Sequence, residues 1–338
     1  MAIKIKKTDK MKNRTSLFCT LRAWHALLWL ALLTVSCPAV AKKVIFMPQF
    51  SAQAQFAGYY AALEQGYYKE AGLDVVIKHP AKSCPVMEYV REGECDFFTA
   101  EAITAVLNSG VLCPELVNIL QTNQHNSLVL LAKDENIKSL QELKGKRIGA
   151  WKAGFCELPF MIDYIESSNV EWVYYVNAVN IYVSGVVDAI LLKSYNEKIQ
   201  MDMSGAKYGS TVYFRDRGYD MPEDGLYTTA EYYKQNPKTC QAFAEASRRG
   251  WEWVRKNRAK ALDIVMKYVK ANNVTTSRYL QKFMLEEVLR LQEDEERKAP
   301  SYMLQQDSYE WVSNLLYRYG YIEKQTPYND FVKIKKKG

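Results

Sequence analysis

VIFMPQFSAQAQFAGYYAALEQGYYKEAGLD, residues 44–74, carries the reading of the fold. Its first four residues form an apolar strand. A polar elbow follows at residues 48–55, and Phe56, Tyr59, Tyr60 and Leu63 then recur at the three-to-four spacing of one helical face. Gly66 and Gly72 punctuate the end, and a β-branched run at residues 73–78 starts a second strand. The unit is strand–loop–helix–strand, with its loop at the carboxyl end of the first strand. That edge is where open α/β sheets bind small ligands. The loop holds amides and aromatics but no paired acid, base or nucleophile. It reads as a binding wall rather than a reaction centre.

Outward from this stretch the alternation continues. Residues 84–92 have helical spacing, residues 95–98 read as a third strand with Thr99 and Glu101 in its exit loop, and residues 116–120 read as a fourth, followed by Gln121 and Asn123. A second cycle places strands at residues 147–151, 170–176 and 186–192 and helices at 158–166 and 177–185. From residue 225 onward the chain reads as mainly helical. Strands alternating with helices predict parallel sheets flanked by helices. Two cycles, joined near residue 130 and again at residues 213–225, predict two lobes. Lobe one takes residues 42–130 and 225–338, the latter as a helical C-terminal part; lobe two takes residues 131–224.

At 338 residues, with 48% hydrophobic and 25% charged side chains, the chain has the composition of a globular protein. Its formal charge of +7 is misleading. Most of the excess lies in residues 1–41 and in the lysines at 333 and 335–337, so the body between is slightly acidic. A nucleic-acid footprint is not expected. Residues 1–41 read as an export signal: a basic stretch to Arg22, an apolar core at residues 23–33, and a small-x-small pattern at Ala39-Val40-Ala41. The core is shorter than the roughly 20 apolar residues of a membrane span. Lipid attachment at Cys37 is a second, less favoured reading. Beyond that segment stand Cys84, Cys95, Cys113, Cys156 and Cys240, an odd number without metal-like spacing, and only two histidines, His79 and His125. Neither a metal nor a cofactor is expected.

Four blocks occur in order: GYYAALEQGYYKEAGLDV at residues 58–75, REGECDF at 91–97, SLQELKGKRIG at 139–149 and YYKQNPKTCQAF at 232–243. Together they resemble the periplasmic solute-binding family that includes bacterial thiamine-pyrimidine precursor binders, alkylsulfonate and taurine binders, and the fungal thiamine-pyrimidine synthase. The resemblance spans roughly residues 42–323. It implies a type II periplasmic binding protein fold: two α/β lobes, two hinge crossovers and a ligand clamped between. In the synthase, a lysine for pyridoxal phosphate and a reacting histidine lie four and eight residues after the aspartate of strand three. Counting from Asp96, these positions hold Ala100 and Thr104. Without a Schiff-base amine or an imidazole that chemistry has no residues to run on, so no enzyme is expected.

The loops at the strand ends supply the candidate ligand contacts. Strand one offers Gln49, Phe50, Gln53 and Gln55, and the helix after it Phe56 and Tyr59, although one of the adjacent Tyr59 and Tyr60 should pack in the core. Further candidates are Ser83, Thr99, Glu101, Gln121 and Asn123 in lobe one, Trp151, Phe155, Asn177, Tyr195 and Glu197 in lobe two, and Tyr227 at the return. Glu101 has a second reading as a helix cap, and Gln121 and Asn123 as partners of hinge backbone. The set fits a flat, nitrogen-rich ring. Phe50, Trp151 and Tyr195 would stack on it, Glu197 or Glu101 would accept from an exocyclic amine, and Gln49 and Gln53 would complete the edge. The cations of these loops are Lys152 and Lys193, which is thin provision for a sulfonate. The expected protein is an exported monomer that captures an aminopyrimidine-like ligand for an ABC permease or a membrane sensor.

Overall fold

The computed structural model describes residues 42–81, 84–151, 169–175, 177–294 and 299–334. Ser83, Phe155, Cys156, the helix expected at 158–166 and the segment 1–41 lie outside the described residues.

Two five-stranded sheets organise the chain. The first has the order β2-β1-β3-β10-β4, built from β1 (Lys42–Met47), β2 (Leu73–Ile77), β3 (Phe97–Glu101), β4 (Leu116–Gln121) and β10 (Asp224–Thr229). The second has the order β7-β6-β8-β5-β9, from β5 (Leu128–Ala132), β6 (Arg147–Trp151), β7 (Glu171–Tyr175), β8 (Ala189–Lys193) and β9 (Ser210–Tyr213). In each sheet four strands share one direction, and the fourth in spatial order is antiparallel to both its neighbours. That strand is β10 in the first sheet and β5 in the second, each the first strand after the chain crosses between lobes. β3, β4, β5 and β8 are buried along their whole length, which matches their near-continuous apolar sequences.

The structure corrects the expected boundaries in three places. β3 begins two residues later than expected, so Thr99 and Glu101 lie in the strand and not in a loop. β5 belongs wholly to the second sheet, which moves the first crossover to residues 122–127. Asp224–Thr229 is a strand in the middle of lobe one where a helical tail was expected. Its DGLYTT sequence holds only two large apolar residues, so no apolar run announced it, yet it is paired on both edges.

The helical tail covers lobe one. The helix Pro237–Lys256 buries Cys240, Phe243, Ser247, Gly250, Trp251 and Val254, a stripe at three-to-four spacing. It crosses the helix Ala57–Glu64 at two glycines. A Cβ on Gly250 would stand 2.0 Å from the Gly58 carbonyl oxygen, and one on Gly58 would enter the Trp251 indole at 2.2 Å. The helices Arg258–Ala271 and Arg278–Leu291 extend the same apolar cluster. On the opposite side of the sheet, the helices Gln306–Arg318 and Tyr328–Phe331 close over Tyr227 and Phe98.

The glycine crossing makes a prediction. Gly250→Ala must separate backbone from backbone, so it should destabilise by about 3 kcal/mol or more. A thermal melt that leaves Tm unchanged would show that the helices do not approach this closely.

Candidate functional site

Two crossovers join the lobes, residues 122–127 after β4 and residues 214–223 before β10, and they are bound to each other. The Asp224 carbonyl accepts from the amides of Thr122 and Asn123, both at 3.0 Å, and from Thr122 Oγ1 at 2.6 Å. Gln121 Nε2 lies within hydrogen-bond distance of the carbonyls of Asn123 at 2.9 Å and of Glu223 and Asp224 at 3.2 Å. Asp220 accepts from the Asn126 amide and pairs with His125. Glu223 Oε1 accepts from both the amide and the hydroxyl of Ser127. Gly225 is needed here, because a Cβ would meet Gln121 Oε1, Asn118 Nδ2 and the Tyr227 hydroxyl, all within 2.7 Å.

Against this hinge lies a buried cluster of charge. Lys193, the last residue of β8 in lobe two, reaches Glu101 Oε1 and Glu223 Oε1, both at 2.9 Å. Asp224 accepts from Gln49 Nε2 at 2.9 Å on one carboxylate oxygen and from Gln55 Nε2 at 2.7 Å on the other. Gln53 in turn donates to Gln55 Oε1. Burial, reinforced by the charges of Glu223 and Glu101, pushes the Asp224 carboxyl up to about 8. Burial also raises Glu223, against the pull of Lys193. The seam is therefore weighted towards carboxylates, with its lysine engaged by two of them.

The elbow after β1 forms the wall of lobe one. The Gln49 amide donates to Thr99 Oγ1, and the Ala54 amide donates to Gln281 of the helix Arg278–Leu291. His79 fixes the middle of the elbow. Its Nδ1 donates to the Phe50 carbonyl at 2.6 Å, which leaves Nε2 to accept from the Tyr60 hydroxyl at 2.9 Å. Burial lowers the His79 pKa, so the ring stays neutral. Phe50 then stacks on Trp151, at the end of β6 in the other lobe, with centroids 6.0 Å apart and planes at 20°. Tyr195, also from lobe two, is buried in the apolar cluster of lobe one.

The structure thus brings Gln49, Phe50, Gln53, Thr99, Glu101, Gln121, Asn123, Trp151 and Tyr195 to the seam or its supports. It gives other expected residues different work. Phe56 and Tyr59 pack in the core of lobe one, where the ring of Tyr59 meets Phe46 and Trp251. Tyr227 lies within β10 between Phe98 and Phe331. Asn177 is exposed and caps the helix Ala178–Val183 by accepting from the Asn180 amide. Glu197 begins the helix Glu197–Ser204, and its carboxylate is used within its own turn by the Lys193 amide and Asn196 Nδ2. Sequence reasoning left Lys193, Glu223 and Asp224 off the list of contacts, while Gln55, expected with the strand-one loop, bonds Asp224. Adjacent acids directly after Pro222, at a crossover, were the available signal.

A groove of about 690 Å³ opens elsewhere, between residues 194–216 of lobe two and the helix Arg278–Leu291. Its walls carry Lys198, Arg215, Arg258 and Arg290 interleaved with Asp202, Asp216, Glu286, Glu287 and Glu293. None of the expected ligand contacts lines it. Ser194 crosses it to donate to Glu287 at 2.6 Å, so it marks a further line of contact between the lobes. The cysteines at 84, 95, 113 and 240 are free thiols, and burial raises Cys113 to about 11, far from a reactive thiolate.

Two outcomes follow from the charge cluster. Lys193→Met leaves Glu101 and Glu223 without their shared cation and should cost about 3–5 kcal/mol; an unchanged unfolding midpoint would dissolve the triad. For Asp224, the folded pKa of about 8 lies above the unfolded value of about 3.9. The unfolded chain releases this proton first, so the contribution of Asp224 to stability falls as pH rises from about 4 through about 8. Asp224→Asn should flatten that dependence and gain on the wild type between pH 5 and pH 8.5 in paired melts. Parallel pH curves for the two proteins would contradict it.

A family model described as NMT1/THI5 like matches residues 53–261. Among solved structures, the periplasmic aliphatic sulphonate binding protein from Escherichia coli aligns with a TM-score of 0.63 at 12% identity, over 86% of this chain and 92% of that one. The alkanesulfonate-binding protein from Xanthomonas axonopodis pv. citri, bound to MOPS, aligns at 0.62 and 12%, over 88% and 100%. The periplasmic nitrate-binding protein from Synechocystis PCC 6803 aligns at 0.60 and 13%, over 83% and 82%. A comparison with curated protein sequences found no match. The structural likenesses establish the periplasmic binding protein fold, two mixed sheets flanked by helices. The family model covers more than half of the chain, and the protein belongs to the NMT1/THI5-like family.

Proposed function

We propose that this is an extracytoplasmic solute-binding protein that closes its two lobes on a small heteroaromatic ligand carrying an amine. A thiamine-pyrimidine precursor is the ligand we favour, delivered to an ABC permease or presented to a membrane sensor. The supporting observation is the sign of charge at the seam. Glu101 and Glu223 gather there and already engage Lys193 between them, with the carboxyl of Asp224 beside them. The sulfonate- and nitrate-binding proteins of the same fold hold anions. An anion here would meet carboxylates, whereas a ligand that donates N–H bonds would find acceptors, each charge-assisted bond contributing roughly 1.5–3 kcal/mol.

Other features agree with this reading. Phe50 and Trp151 offer two parallel faces, one from each lobe, to a flat ring when the lobes part. Residues from both lobes at one seam supply the preference for the closed state that ligand-driven closure needs. A role in binding rather than catalysis is supported by Ala100 and Thr104. Ala100 is buried within β3 and Thr104 lies in the helix Ala102–Asn108, at the positions where the synthase of this family carries its lysine and histidine. The reading of residues 1–41 as an export signal supports the location.

A thermal-shift panel with calorimetry tests the proposal. The probes are 4-amino-5-hydroxymethyl-2-methylpyrimidine, 4-amino-2-methylpyrimidine, riboflavin, taurine, an aliphatic sulfonate and nitrate. The aminopyrimidines should stabilise the protein, by about 2.7 kcal/mol at a hundredfold excess over Kd, and should be recovered unaltered. Stabilisation by sulfonates or nitrate alone would overturn the ligand class. Turnover of the pyrimidine, or a pyridoxal absorbance in the purified protein, would overturn the non-enzymatic reading.

A further inference from the structure

Around the hinge several buried side-chain atoms lack a hydrogen-bond partner among the described residues, namely Asn118 Oδ1, Asn126 Nδ2, the hydroxyls of Tyr59 and Tyr227, Glu223 Oε2 and the Asn123 amide, and of these residues Asn123 alone has two unpaired atoms. Asn123 is 1% exposed, and both its Nδ2 and its Oδ1 are buried without a hydrogen-bond partner among the described residues. Its backbone is fully used, the amide by the Asp224 carbonyl and the carbonyl by Gln121 Nε2. Glu223, also 1% exposed, is lopsided. Oε1 takes bonds from the Ser127 amide, the Ser127 hydroxyl and Lys193, while Oε2 is buried with none. The backbones of the two residues meet at Gln121, whose Nε2 is within reach of the main-chain carbonyl of each. They come from different crossovers, so the pair exists only when the hinge is assembled.

We infer that the Asn123 carboxamide and Glu223 Oε2 form the specificity edge of the ligand site, reading a ring nitrogen together with the exocyclic amine beside it. The inference rests on the proposed function and assigns its recognition to named atoms. Unpaired, the two residues present one donor and two acceptors. A 4-aminopyrimidine edge presents the complement, one acceptor and two N–H donors. The ring nitrogen accepts from Asn123 Nδ2, and the amine donates one N–H to Asn123 Oδ1 and the other to Glu223 Oε2. Either orientation of the Asn123 amide serves, since neither end has a partner among the described residues. A pyrimidine without the amine leaves the buried acceptors unpaired, and sites built for such a bond reject analogues that lack it strongly.

The test compares 4-amino-2-methylpyrimidine with 2-methylpyrimidine on the wild type, Asn123→Leu and Asn123→Ala, by calorimetry and by melting without ligand. The wild type should prefer the amine by roughly tenfold or more. Asn123→Leu should melt at or above the wild-type temperature without ligand, because it replaces an unpaired buried amide by an apolar group of similar size. It should also lose the preference for the amine. Asn123→Ala, which cannot overfill the site, should lose the same preference. If both variants keep the wild-type preference, or if Leu lowers Tm while binding persists, Asn123 is structural and held by buried water, and the inference falls. If the wild type binds neither pyrimidine, the proposed function fails first, a result distinct from unchanged variants of a protein that binds.

Discussion

The Asp224 carbonyl is the point on which the molecule turns. It accepts from the backbone amides of Thr122 and Asn123 and from the Thr122 hydroxyl, while its own strand, β10, is threaded between β3 and β4. One peptide unit therefore ties the outward crossover, the return crossover and the centre of a sheet. Bonds of this kind are individually modest, but a buried carbonyl or amide left unpaired costs about 1–3 kcal/mol. The hinge can bend only in ways that keep them, which explains why Gly225, Gln121 and Asn118 crowd around one another with no room for a side chain at 225. The rigidity of the axis is what allows lobes of otherwise separate sheets to meet in a reproducible register.

From that axis outward, the contacts between lobes fall into three kinds. Lys193 crosses as charge, Tyr195 crosses as apolar surface into the core of lobe one, and Phe50 meets Trp151 as stacked rings. Ser194 adds a fourth line of contact, through Glu287, on the side of the C-terminal helices. Three of the four come from the end of β8 and the two residues after it. This short segment of lobe two is consequently the part whose position reports whether the lobes are together. Its neighbour Glu197 bonds the Lys193 amide and steadies the turn from within.

Much of this architecture was legible in the sequence, and the parts that were not share a physical reason. Apolar runs such as residues 128–132 and 189–192 announce strands buried on both faces, and the stripe from Cys240 to Val254 announces a packed helix. The strand β10 escaped because its burial is paid in hydrogen bonds rather than apolar side chains: Asp224 and Gly225 open it, and Thr228 and Thr229 close it. Glu223 and Asp224 escaped for a related reason. The rule that ligands meet the carboxyl ends of strands led to loops after β1, β3 and β6, and so to Gln49, Phe50 and Trp151, which lie at the seam. It does not look at crossovers or the strand starts that follow them, where Glu223 and Asp224 sit. Nor does periodicity separate Tyr59 from Tyr60, or reveal that Asn177 is spent as a helix cap; those outcomes depend on which neighbour arrives from elsewhere in the chain.

The unequal treatment of charge at the seam bears on how closure would work. Burying Glu101, Glu223 and Asp224 around one lysine leaves the closed arrangement short of hydrogen-bond donors, and Asp224 answers by holding its proton up to about pH 8. Such a cluster is expensive unless it is paired. A partner that supplies N–H groups adds the missing term only when both crossovers and both lobes are in place, because the acceptors come from β3, the return crossover and β10 while the covering surface comes from β6 and β8. A ligand shifts an equilibrium only by its difference in affinity between the two states. Under the proposed function, the carboxylate excess would make that difference large for an amine-bearing solute and small for an anion.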